Sequence, residues 1–195
     1  MQKREPCEKC GKLVAPHESV SFGSIEKGSQ HLCMGCTNAA ISMYSGVDFK
    51  HPEYLPMTLT DSEGVEHEFH FNTRLLGNRI VIEALEIKND EPRGYAFEIY
   101  CDNPEEDTLE LFRRLFDRML RSLSKRHLEV DQYGLHIAKP DIVRARISCD
   151  LENPDNVPLL VIDGKEIAWD DFGRMLMTYE GFQFKMEIFD ISEER

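Results

Sequence analysis

Four cysteines, arranged C-x2-C-x22-C-x2-C from Cys7 to Cys36, constrain this 195-residue chain more than any other feature. Two residues between thiolates let both sulfurs of a pair reach one ion at about 2.3 Å, and two such pairs complete a tetrahedron. Cys7, Cys10, Cys33 and Cys36 are therefore the expected ligands of one structural Zn²⁺ ion. A site of four thiolates is closed to water and substrate, so the metal is expected to hold the fold and not to catalyse. A module of about 45 residues builds little core alone, which makes such a metal necessary.

The residues around the cysteines fit that reading. Gly11, directly after Cys10, suits the tight turn of a zinc knuckle, where the backbone takes dihedrals that glycine tolerates. SVSFGSIEKGSQHL, between the pairs, reads as two short strands around a glycine-containing turn, and TNAAISMYSG after Cys36 reads as a short helix ending at Gly46. Knuckle, hairpin and a second ligand pair at a helix start resemble the treble-clef zinc finger over residues 7–46, with a zinc ribbon as the alternative. His17 and His31 are substitute ligands that four cysteines leave unneeded.

Charge narrows the partners. The net charge is -13, yet residues 1–50 hold six Lys/Arg against five Asp/Glu, leaving -14 for the rest. An acidic body repels phosphate backbones, so nucleic acid is an unexpected partner and a protein the expected one. Any DNA contact would fall to Lys3, Arg4, Lys9 and Lys12 beside the zinc. No run approaches the roughly 20 apolar residues that span a bilayer, and MQKREP is no signal region, which points to the cytoplasm. The remaining cysteines, Cys101 and Cys149, end apolar alternations and read as small buried hydrophobes.

Beyond the module, VDFKHPEYLP reads as an extended connection packed by Phe49 and Tyr54. Val65, His67, Phe69 and Phe71 alternate with polar residues as a half-buried strand. RIVIEALEI and GYAFEIYC follow as strands, the latter with Tyr95, Phe97, Ile99 and Cys101 on one face; the turns are Gly77-Asn78 and NDEPRG. A helix is predicted after Asp102 and Asn103, with Pro104 in its first turn and Glu105, Glu106 and Asp107 at its positive end. Its apolar stripe is Leu109, Phe112, Phe116, Met119 and Leu123, with Leu115 and Leu120 beside them.

In the last third, Val143, Ala145, Ile147 and Cys149 read as the inner face of a strand, and VPLLVIDGKEI as a hairpin turning at Asp163-Gly164. Trp169, Phe172, Met175, Leu176 and Tyr179 mark a short helix ending before Gly181, and Phe182, Phe184, Met186 and Ile188 a final strand. The fold class is α+β: a zinc module at residues 1–48, then a strand-rich body with one long and one short helix. The body divides into a sheet with the long helix at 49–130 and a hairpin, helix and strand region at 131–195, or forms one unit.

Catalytic signals are weak. The histidines of HEFH, His67 and His70, are three apart on a strand and point to opposite faces. Asp155, Asp163 and Lys165 match a loose PD-(D/E)xK pattern, whose acids hold Mg²⁺ in nucleases, but Gly164 fits a hairpin turn better. Arg114, Arg118, Arg121 and Lys125 form a basic stripe, half explained by Glu110-Arg114 and Asp117-Arg121 ion pairs. No phosphate loop, dinucleotide fingerprint or nucleophile elbow is present.

VIDGKEIAWDDFGRMLMTYEGFQFKMEI, HEFHFNTRLL and the cysteine module together resemble a group of bacterial proteins of unknown function. The resemblance covers most of the chain and implies a cytoplasmic, zinc-containing protein with no assigned activity. The expected function is a zinc-stabilised, non-enzymatic interaction or regulatory protein. The alternatives are a Mg²⁺-dependent hydrolase and a weak DNA-binding regulator.

Overall fold

The computed structural model describes residues 4–24, 28–103, 106–150, 157–191 and 193. Two short paired strands, β1 (Glu5–Pro6) and β2 (Leu13–Val14), flank the turn that carries Cys7, Cys10 and Gly11. A 3-10 turn at Pro16–Glu18 leads into the predicted hairpin of β3 (Ser19–Ser24) with β4 (Gly28–Cys33). Helix α1 (Met34–Ser45) starts directly from β4 and stops at Gly46, whose φ of 70° lets its N–H turn back to the Ser42 carbonyl.

An antiparallel meander follows: β5 (Met57–Thr60), β6 (Glu66–Leu76), β7 (Arg79–Lys88) and β8 (Glu91–Cys101), side by side in chain order. Gly77-Asn78 is the predicted two-residue turn between β6 and β7. The loop expected over NDEPRG shrinks to Asn89-Asp90, both at positive φ, because that pair alone closes the hairpin and Glu91, Pro92 and Arg93 join β8. β6 outlasts β5, which pairs with it only from Glu66 to Phe69. Asn38 of α1 completes the exposed edge: its amide donates to the Thr73 carbonyl (2.6 Å) and accepts the Leu75 N–H (2.9 Å). A buried asparagine thus docks the amino-terminal module where a strand would otherwise be needed.

One face of the sheet presents Phe69, Phe71, Leu75, Ile80, Ile82, Ala84, Phe97 and Cys101 to α2 (Thr108–Leu123). Phe49 and Tyr54 pack against this core from the connecting segment, as expected. The helix differs from its prediction. It begins at Thr108, with the Asp107 side chain accepting the Leu109 N–H (2.9 Å), because Cys101, Asn103 and Glu106 bond to one another ahead of it. The Cys101 thiol lies 3.1 Å from the Asn103 carbonyl and 2.9 Å from Glu106, two acceptors for its one proton, and the Glu106 N–H donates to Asn103. Pro104 and Glu105 lie outside the described residues. The buried ridge is Leu111, Leu115, Met119 and Leu123 at steps of four, while Leu109 and Leu120 are exposed.

Beyond α2, β9 (Leu128–Asp131) pairs with β10 (Gly134–Ile137), a hairpin without a strong sequence pattern. β11 (Arg146–Cys149), β12 (Pro158–Ile162) and β13 (Lys165–Ala168) form a three-stranded sheet, and α3 (Trp169–Leu176) follows directly. Asp163 and Gly164, both at positive φ, make the predicted turn. Leu128, Leu160, Ile162, Ile167 and Met175 close a second core.

Two expectations fail here. Ile147 and Cys149 are exposed and Arg146 turns inward, donating to the Gly94 carbonyl (3.1 Å), so the strand shows the opposite face to the one its apolar residues predict. The central strand β12 is buried on both sides, Leu160 and Ile162 with α3 and Val161 towards β8. Arg146 stands opposite Val161 and is drawn in with it. The final strand is absent: Phe182, Phe184, Met186 and Ile188 are all exposed in a segment with no regular structure. Alternation supplies a strand pattern but not the neighbouring edge that a strand needs.

Candidate metal centre

The chain's local hydrogen bonds shape the cysteine cluster before any ion is considered. Gly11, at φ 76°, donates its N–H to the Cys7 carbonyl (2.8 Å), and the Cys7 N–H donates to Lys12 (2.9 Å), closing the first ligand pair into a tight loop. Glu8 pins this loop to β4, its N–H on the His31 carbonyl and its carboxylate accepting the His31 N–H. Cys33 ends β4 and caps α1, and the Cys36 N–H points at its sulfur (3.4 Å).

All four sulfurs lie within 4.8 Å of one another, and those of Cys10 and Cys33 are 3.7 Å apart. Sulfurs held tetrahedrally at about 2.3 Å from one ion stand roughly 3.8 Å apart, so the spacing suits a metal ion of that size. No disulfide competes, since all six cysteines are free. The thiols are also electrically unequal. Burial raises Cys7, but N–H groups of Cys33, Cys10 and Lys9 outweigh it and bring its pKa down to about 6. Burial and the neighbouring thiols push Cys36 up to about 12. Four clustered thiols cannot all ionise beside one another without a cation, and a metal ion held there would supply the missing charge. Among the described residues neither His17 nor His31 belongs to the cluster.

Three family models match. Residues 6–48 fit a "Domain of unknown function (DUF7685)", residues 50–124 a "Domain of unknown function (DUF7686)" and residues 127–193 a "Domain of unknown function (DUF7713)". No curated protein and no solved structure matches the chain. Among the described residues no helix is long and apolar enough to cross a membrane.

Among the described residues the other sequence candidates do not assemble into a catalytic set. Asp163 accepts the His127 and Leu128 N–H groups (2.7 and 2.8 Å), and Lys165 approaches Glu63 (3.9 Å); Asp155 lies outside the described residues. Lys12 pairs with Glu53, and Lys3 also lies outside the described residues. The expected Glu110-Arg114 and Asp117-Arg121 pairs are replaced: Arg113 takes both acids (2.7 and 2.9 Å) and Arg114 reaches Glu106 (3.1 Å). Arg113 lies between the two acids at steps of three and four, on the outermost line of the helix. Arg118, Arg121 and Lys125 instead line a cleft with Arg144 and Arg146.

Sequence reasoning missed the buried polar network around His67. His67 and His70 do point to opposite faces, and His67 is sandwiched between Glu86 (Nδ1 to Oε1, 2.6 Å) and Asp61 (Nε2 to Oδ2, 3.2 Å). Glu86 also holds the Tyr95 N–H and the Lys88 ammonium, which reaches on to the Gly164 carbonyl. A Cβ at Gly94, already at φ 91°, would stand 2.1 Å from the Glu86 carboxylate. Asp61 lies in the β5–β6 turn and Gly164 in the β12–β13 turn, so the network ties the large sheet to the carboxy-terminal one. Histidine at an inward strand position was the only sequence signal; its partners are brought in by register.

Proposed function

We propose that this chain is a zinc-stabilised interaction protein without enzymatic activity, and that its body binds an acidic, apolar segment of a protein partner. The zinc is assigned to Cys7, Cys10, Cys33 and Cys36 by their donor set and sulfur spacing. Knuckle, hairpin and ligand-bearing helix start follow the order of a treble clef. The module at residues 1–48 serves to secure the edge of β6 through Asn38. The sheet and long helix, 49–130, and the region 131–195 form the body. A bacterial cytoplasm is the setting that the sequence resemblance favours.

The observation that carries this reading is a cleft of about 620 Å³ between α2, β8, β11 and the carboxy-terminal segment. Arg118, Arg121, Lys125, Arg144 and Arg146 line it, in a chain whose net charge is -13. Opposite them stand Glu187, Asp190 and Glu193 of the chain's own end, and Arg118 donates to the Ile191 carbonyl. The same end carries Phe182, Phe184, Met186 and Ile188 exposed, a large apolar surface on one short segment. The carboxy-terminal segment thus displays the chemistry that the cleft accepts: carboxylates for the arginines, interleaved with apolar side chains. An acidic polypeptide with apolar side chains fits the cleft better than nucleic acid, because Phe97, Ile147 and Val161 lie in the lining beside the arginines and a phosphate backbone carries more charge per unit length into an acidic surrounding.

The test compares full-length protein with a chain ending at Glu180, using a labelled peptide of residues 181–193 as probe and fluorescence anisotropy as readout. The shortened chain should bind at least about tenfold more tightly, because the cleft is then unblocked, and Arg121→Glu should abolish binding. No binding to the shortened chain would sink the reading; binding of a DNA oligonucleotide in its place would replace it with a nucleic-acid role.

A further inference from the structure

We infer that His17, Glu18 and His70 form a second divalent-metal site, open to solvent, at the seam where the amino-terminal module lies on β6. The three residues come from a 3-10 turn and from a strand more than fifty positions away in sequence, yet one donor atom from each lies within 4.8 Å of the others. The seam is built deliberately close. Asn72 donates to the His17 carbonyl (3.1 Å), and the rings of His17 and His70 meet edge to face with centroids 5.7 Å apart.

A second observation points to a ligand. Both ring nitrogens of His17 are buried and have no protein partner among the described residues. A neutral imidazole has one donor and one acceptor, and leaving both unmade in a half-buried ring is costly. An ion in the cluster satisfies the acceptor. One Glu18 oxygen accepts the Ala15 N–H (3.1 Å), which fixes the carboxylate, and its other oxygen remains available as a donor to metal. Glu68, 2.8 Å from Nε2 of His70, adds a second carboxylate at the edge of the cluster. Donors held at about 2.1 Å around a tetrahedral ion stand roughly 3.4 Å apart, so binding requires atoms that now lie within 4.8 Å of one another to close by up to about 1.4 Å, within side-chain reach.

Two imidazoles and a carboxylate suit Zn²⁺, Co²⁺ or Ni²⁺ and disfavour Mg²⁺ and Ca²⁺. All three ligands are only partly buried, so a water or a small anion completes the coordination sphere. This site is chemically opposite to the cysteine cluster, which is closed and sulfur-only. Its ligands bridge the module and the sheet, so an ion there locks the two together. It stands independently of the function proposed above.

The experiment is equilibrium dialysis of the full chain against Zn²⁺ and, separately, Co²⁺, for wild type, His70→Ala and His17→Ala. The sulfur-to-cobalt charge-transfer band reports the cysteine cluster alone, because the second site has no thiolate. Wild type should hold about two ions per chain; each variant should retain the band, hold about one ion, and bind the second at least tenfold more weakly. A wild type that saturates at one ion, or variants that both keep the second, would overturn the site. Should His70→Ala lose the charge-transfer band as well, His17→Ala decides, since its side chain lies outside every strand. A missing band in wild type would refute the cysteine reading and leave this one to the ion count.

Discussion

The interior of the amino-terminal module consists of Cys7, Val14, Leu32 and Cys33 with Cys36 against them, whereas the large sheet and α2 bury twelve side chains in one cluster, of which one is a cysteine. The first interior is largely ligand sulfur and the second largely hydrocarbon. Each fully buried Val, Leu, Ile, Phe or Met contributes about 1.5–3 kcal/mol, so the sheet is far better supplied with packing energy than the module, which has Val14, Leu32 and Met34 to set against the entropy of about forty residues. With the metal assigned as proposed, the comparison teaches that one chain would contain two kinds of stability, one set by metal concentration and one by packing. They meet along β6, where Asn38 of α1 bonds to Thr73 and Leu75 and Asn72 bonds to the His17 carbonyl.

The largest effect expected from this contrast follows Cys33→Ser. Loss of one thiolate opens the cluster and removes both a ligand and the sulfur that caps α1. Structural zinc supplies about 10–16 kcal/mol of apparent binding energy, more than a module this small can replace. Hydrogen exchange should therefore rise sharply over residues 5–46 and remain low over β7 and β8, with an increase at Thr73 and Leu75 where Asn38 lets go. A chelator should reproduce the pattern in wild type. Equal loss of protection across the sheet would break the comparison, because it would mean that the packed core depends on the metal.

The converse substitution comes next in size. Leu115→Ala removes a fully buried side chain from the middle of the α2 ridge and should cost about 2–5 kcal/mol in urea unfolding monitored over the sheet. Bound metal should stay unchanged at native conditions. If Leu115→Ala releases the ion, module and sheet fold as one unit.

Those two regions were also unequally legible. The cysteine spacing specified its own geometry, because metal chemistry fixes distances that do not depend on the rest of the fold. β6 and β8 were legible too, since packing against α2 imposes alternation on Phe69 and Phe71 or Phe97 and Cys101, and β7, buried on both faces, showed as a near-continuous apolar run. Where two layers compete, the pattern misled. Arg146 faces inward because β12 is buried on both sides, and no residue in IVRARISC records what lies beyond its neighbour. Phe182 to Ile188 read as a strand because a sequence shows strand pattern without showing whether an edge is available. The start of α2 moved because Cys101, Asn103 and Glu106 satisfy one another, a contest between local hydrogen bonds that pattern does not resolve. The cleft and the His17 cluster needed the fold itself, since both assemble residues from distant segments.

The smallest effect sharpens the contrast from the sheet's side, where a polar network sits beside the hydrocarbon core. Burial alone would raise the Asp61 carboxyl, but the Val65 and Glu63 N–H groups and His67 hold it below the usual carboxylate range. A carboxyl lowered by folding contributes stability that is fully present above its unfolded pKa of about 4 and is lost as pH falls through the lowered, folded value. Asp61→Asn keeps an oxygen for the two backbone groups and removes the charge facing His67. The variant should therefore unfold in urea about 1 kcal/mol more easily at pH 7, and the difference should shrink below about pH 4 as wild type loses the same charge. Metal content should be equal in the two proteins at pH 7, since the network touches none of the four cysteines. A difference that persists undiminished in acid would show that the Asp61 turn is held by shape and not by charge. The polar tie from the sheet to the β12–β13 turn would then rest on Glu86 and Lys88, beside the Arg146–Gly94 bond, without the Asp61 charge.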